Sequence, residues 1–81
     1  MDKKEMAQRA AALLNDDVLQ SAFNGVLSYH TSVFTRVSAT EAEVLEARRR
    51  VMALHEVKSQ LRRYVSTGEI LARKDQDREH D

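Results

Sequence analysis

The sequence predicts an all-α protein built around a long antiparallel helical hairpin, and three observations carry that prediction. Its 81 residues include no proline and only two glycines, Gly25 and Gly68. Turn chemistry is therefore scarce, which favours a few long helices over a sheet. Apolar residues recur at three- and four-residue steps along most of the chain, the spacing of an amphipathic helix. Finally, Thr40-Glu41-Ala42-Glu43 has the form of a capping box, in which Thr40 and Glu43 each satisfy a free backbone N–H of the other.

The first helix is expected over residues 3–14. Met6, Ala10, Leu13 and Leu14 fall on one side of it, and Ala7, Ala10, Ala11 and Ala12 are strong helix formers. Asn15-Asp16-Asp17 then interrupts the pattern. Asn15 or Asp16 can cap a new helix, and Asp17 suits its first turn.

The second helix is predicted over about 17–37. Its stripe is Leu19, Phe23, Val26, His30, Val33 and Val37, widened by Val18, Ala22, Leu27, Tyr29 and Phe34. Gly25 in mid-helix is unfavourable by about 1 kcal/mol relative to alanine, and a close helix approach at that point would explain it. The connection through Ser38-Ala39-Thr40 is short enough to make the flanking helices antiparallel neighbours.

The third helix is predicted over about 41–66, with Gly68 as its left-handed stop. Its seam is Val44, Ala47, Val51, Leu54, Lys58, Leu61 and Val65, flanked by Leu45, Met52, Val57 and Tyr64. This three-four alternation is the coiled-coil pattern. A turn centred near residue 39 sets Phe23 opposite His55, Val26 opposite Met52, His30 opposite Arg48 and Leu19 opposite Ser59. Residues 1–74 form one domain on this reading, and residues 75–81, almost all charged, form a flexible tail.

Composition narrows the function classes. Net charge is zero, with 42% hydrophobic and 32% charged residues, so the chain is not a polycation. Residues 41–65 do carry six bases against four acids. Arg48, Arg49, Arg62 and Arg63 are the candidates for contact with a phosphate backbone. Three successive arginines spread over roughly 200° of helix, and Glu46 and Glu56 lie among them, so a solvated face with internal ion pairs is the favoured reading.

Cysteine is absent, so disulfides and thiolate metal sites are not available. No apolar run approaches the ~20 residues of a membrane span, and no signal-peptide core follows Met1-Asp2-Lys3-Lys4-Glu5. A soluble chain without a membrane partner is expected. His30 and His55 read as interfacial histidines, and Asp16 and Asp17 as caps. No phosphate loop, nucleophile–base pair or His-x-x-x-His spacing occurs, so no enzyme activity, cofactor or metal is expected.

Surplus apolar surface points instead to protein binding. A lone hairpin covers Phe34, Tyr64, Ile70 and Leu71 poorly. With Phe23, Tyr29 and Leu61 they form the candidate contact set. The second and third helices would self-associate as a homo-oligomer, and Ile70-Leu71 would dock on a larger protein.

Two stretches carry a family likeness. Residues 9–23, Arg9-Ala10-Ala11-Ala12-Leu13-Leu14-Asn15-Asp16-Asp17-Val18-Leu19-Gln20-Ser21-Ala22-Phe23, resemble the opening of short helical proteins encoded by tailed bacteriophages and prophages near virion structural genes. The segment from Leu61 through Gly68-Glu69-Ile70-Leu71-Ala72-Arg73-Lys74-Asp75 resembles that family's ending. Tyr29 matches a tyrosine of the family, and Phe34 stands where the family usually has tryptophan. The resemblance implies a virion structural or assembly role, located in the virion or the host cytoplasm, with a phage or host protein as partner. Alternatives are a nucleic-acid-binding accessory protein or an inhibitor of a host protein.

Overall fold

In a computed structural model, residues 1–80 are described, and the chain is helical nearly throughout. Helix α1 spans Lys3–Leu14, α2 spans Asp17–Thr31, a 3₁₀ turn covers Ser32–Thr35, and α3 runs Glu41–His80. No residue among them has a positive φ.

The starts of the helices follow local chemistry. Asp2 accepts a hydrogen bond from the Glu5 N–H at 2.7 Å, and Asp16 accepts one from Leu19 at 2.7 Å. Each satisfies an orphan donor of a first turn. At the end of α1 the Asn15 N–H donates to the Ala11 carbonyl at 3.1 Å and the Asp16 N–H to the Leu13 carbonyl at 3.2 Å. At α3 the capping box is complete, with the Glu43 N–H donating to Thr40 Oγ1 at 3.1 Å and the Thr40 N–H to Glu43 Oε1 at 3.2 Å.

Helix α2 ends at Thr31, short of the expected residue 37. Three hydroxyls explain the early stop. Thr31, Ser32 and Thr35 each donate to the carbonyl three residues back, at 3.2, 2.7 and 3.2 Å. These bonds compete with the regular ladder and tighten the chain into the 3₁₀ turn. Arg36 is extended, and Val37 projects wholly into water.

The largest departure lies at Gly68. It does not stop a helix: α3 continues through it for 40 residues in all. The expected flexible tail is helical as far as residue 80, while Asp81 lies outside the described residues. A 40-residue helix is about 60 Å long, and the molecule measures 64 × 23 × 20 Å.

The architecture is a two-layer rod. Helices α1 and α2 follow one another end to end with little mutual contact, and both lie antiparallel on α3. Lys4 pairs with Asp75, Ala7 meets Gly68, Leu19 shares a cleft with Leu61, and Phe23 and Leu27 share a notch with Leu54 and Lys58. Phe23 shares both clefts with Lys58, and Leu19 shares one with Leu61, so the facing pairs run about three residues further along α3 than the sequence register set them. The α3 seam holds from Val44 to Val65, every predicted member buried or half-buried, and extends in the same rhythm to Gly68 and Asp75.

The glycine roles are exchanged relative to the sequence reading. A Cβ added at Gly25 would meet nothing within 4 Å, so α2 makes no close approach there. A Cβ at Gly68 would stand 2.3 Å from the Ala7 Cβ. At Gly68 the packing of α1 on α3 leaves no room for a side chain.

Candidate protein-binding surface

The buried residues of the rod are few and small. Among the described residues they are Ala7, Ala10, Val33 and Ala47, together with Gly68. Not one residue of α2 is buried. Its inner edge, Leu19, Phe23, Leu27 and His30, is only half-covered by α3. The Lys58 ammonium stands 5.3 Å from the centre of the Phe23 ring. That is within cation–π range, so a charged group occupies a seam position that a leucine would otherwise fill.

A second apolar strip lies on α2 beyond this edge. Val18 is 78% exposed and Tyr29 71%, with Ala22 and Gly25 exposed between them and Val26 at 45%. At 100° per residue the strip sits roughly 120° round the helix from the inner edge. Tyr29 packs edge-on against His30, ring centres 5.2 Å apart. Residues 18–35 contain no Asp, Glu, Lys or Arg, in a chain that is 32% charged. This uncharged run is the signal that the helical-period reading passed over, because periodicity asks where apolar residues fall and not where charges are missing.

The residues singled out from sequence do not converge on one surface. Phe23 and Leu61 line the clefts between α2 and α3, and Leu61 also faces Leu13 and Leu14 in a cleft of about 200 Å³. Tyr64 is half-buried beside Met6, at the α1 end. Phe34 is 45% exposed in the 3₁₀ turn, Tyr29 lies on the outer strip, and Ile70, 51% exposed, and half-buried Leu71 lie on the C-terminal part of α3. Ile70-Leu71 continues α3 beyond Gly68 rather than following a helix stop.

The arginines are scattered likewise. Arg49 and Arg50 are held by Glu46, at 3.5 and 3.1 Å. Arg48 lines a shallow hollow together with Leu45, Met52 and Glu56. Arg62 borders the Leu13–Leu61 cleft, and Arg63 lies beside Tyr64.

Two carboxylates have shifted acidities, one at each end of α3. Glu43 is held below the ordinary glutamate value, chiefly by the Thr40 N–H, then by the Thr40 hydroxyl, with a smaller contribution from Arg36. Asp75 is lowered by its hydrogen bond with Lys4 and by the charge of the same ammonium. Both groups are exposed and belong to caps and surface pairs. Among the described residues, no three His, Cys, Asp or Glu side chains converge to hold a metal ion, and no helix is long and apolar enough to cross a membrane.

The fold and surface thus define an all-α, rod-shaped chain with an uncovered uncharged helix. No protein-family model matches it, nor does any curated protein or solved structure. The likeness to phage-encoded helical proteins therefore rests on the residues quoted above.

Proposed function

We propose that the chain is a non-enzymatic protein-binding rod whose uncharged α2 is covered in its working state, and that it serves as a structural or assembly component of a bacteriophage particle. One observation carries the binding part: a helix with no buried residue exposes Val18, Val26 and Tyr29 within a run free of formal charge. Interface cores are depleted of charge and enriched in aromatic residues. A helix that stays in water has no reason to be.

The phage setting draws on the sequence likeness. The test is mass spectrometry of purified particles together with sedimentation of the full chain. Presence in particles at stoichiometric amount supports the reading. A chain that is absent from particles and sediments as a monomer at every concentration overturns it. Nucleic-acid binding through Arg48, Arg49, Arg62 and Arg63 draws less support, because Arg49 is already paired with Glu46 and the others lie apart.

A further inference from the structure

We infer that the occupant of the outer α2 strip is the same strip of a second copy, packed antiparallel about a two-fold axis that crosses the strip between Ala22 and Gly25 to make a four-helix bundle. This rests on the protein-binding reading above and specifies its partner, face and register.

Area is the first argument. The chain exposes 6544 Å², whereas a compact monomer of 9.3 kDa exposes about 5,000 Å². The excess is roughly 1,500 Å², and a stable interface takes about 800 Å² from each partner. A second copy laid along the rod removes about half of that surplus from each chain.

The width of the apolar arc is the second argument. A helix that meets one neighbour needs an apolar stripe of about 100°. From Gly25 through Val18, Tyr29, Ala22 and Val26 to Leu27, the apolar arc of α2 covers roughly 200° at 100° per residue. One flank faces α3 within the hairpin. The other, a third of a turn away, stands where a second helix stands in a bundle.

The strip is also self-complementary. In an antiparallel pairing centred between residues 23 and 24, Val18 of one copy meets Tyr29 of the other, and Ala22 meets Gly25. Large side chains close the two ends and small ones lie at the crossing, the arrangement a two-fold interface requires of one surface. Gly25 then has the role that the single rod denies it. It removes a side chain where two copies approach, and the open space beyond its Cα receives the neighbouring helix. A partner of opposite charge has nothing to recognise here, since the strip carries none. An equally uncharged surface fits, and the chain itself supplies one.

Because the chain has no cysteine, disulfide trapping tests the register cleanly. Chains carrying Val18→Cys and Tyr29→Cys are mixed and oxidised at low concentration. The mixed Val18→Cys/Tyr29→Cys disulfide is expected to predominate over either homodimer. An Ile70→Cys chain, substituted on the outer side of α3, is expected to trap little. Equal trapping in all combinations, or predominant Val18→Cys homodimer, overturns the antiparallel register.

In parallel, Gly25→Arg and Ala22→Arg are followed by sedimentation equilibrium, with circular dichroism as the folding check. Both positions are exposed, so helix content is expected to hold while the dimer dissociation constant rises at least ~100-fold. A dimer indifferent to both substitutions uses another face, which removes this inference and leaves the binding reading intact. A chain monomeric at millimolar concentration removes this inference too. Stoichiometric presence in particles would still uphold the binding reading with a different partner.

Discussion

The two halves of the rod solve the same packing problem differently. Where α1 lies on α3, Ala7, Ala10 and Gly68 bring the backbones together and are themselves buried. Where α2 lies on α3, the facing residues are Leu19, Phe23, Leu27, Leu54 and Lys58, and all remain half-exposed. Larger apolar side chains produce less burial there. In a two-helix layer, only side chains shorter than the gap between the helices are enclosed by it. Longer ones extend past the seam and need a third or fourth helix to cover them. The α1 half encloses a small-residue centre, and the α2 half encloses none of its own residues.

The sharpest way to break this contrast is at the close contact. Gly68→Leu is expected to destabilise the chain by about 3 kcal/mol, the upper range for overpacking, read as a lower urea midpoint. An unchanged midpoint would mean that the α1 end is not tightly packed. Gly68→Ala is milder, at about 1–2 kcal/mol lost, because the added methyl collides with the Ala7 Cβ. Gly25→Ala should have the opposite sign. In the dilute, monomeric chain it gains up to ~1 kcal/mol, since alanine is the better helix former and its methyl meets nothing. Two glycine-to-alanine changes of opposite sign, measured by the same thermal unfolding, separate the two halves directly.

Smaller effects lie at the ends of α3. Thr40→Ala removes the side-chain acceptor for the Glu43 N–H and is expected to lose about 1 kcal/mol, visible as fraying near residue 41 in amide exchange. The weakest effect is that of pH. Glu43 and Asp75 both have folded-state pKa values below those of ordinary carboxyls. Their stabilising contributions are complete above the ordinary carboxyl range and vanish as pH falls through the lowered values. Lys4→Ala should move the Asp75 titration, followed by carbon NMR, upward towards the usual aspartate position while Glu43 keeps its shift. Movement of both would show that the two ends are coupled.

Much of the fold was legible before any coordinates. The all-α class, the limits of α1, the Asp16 cap, the Thr40–Glu43 box and the α3 seam from Val44 to Val65 follow from short-range chemistry and helical period. The stop of α2 at Thr31 was harder to read. It depends on three hydroxyls turning back on the chain, and Ser and Thr are equally ordinary on a helix surface. Of the surface, the backbone context of two stretches was read differently from the structure. Ile70-Leu71 drew attention as a segment after a break that does not exist, while Val18 passed as an accessory to the inner stripe.

The sequence by itself determined that helices form, where their N-termini lie and which line of α3 faces its neighbours, because those outcomes are settled within a turn or two of backbone. Only the tertiary structure decided what each glycine is for. Gly68 and Gly25 are alike as residues, each able to end a helix, loosen it or admit a neighbour. The choice between these depends on whether another helix lies within reach of the missing Cβ. At Gly68 that helix is α1, 61 positions earlier at Ala7, a separation at which local propensity carries no information.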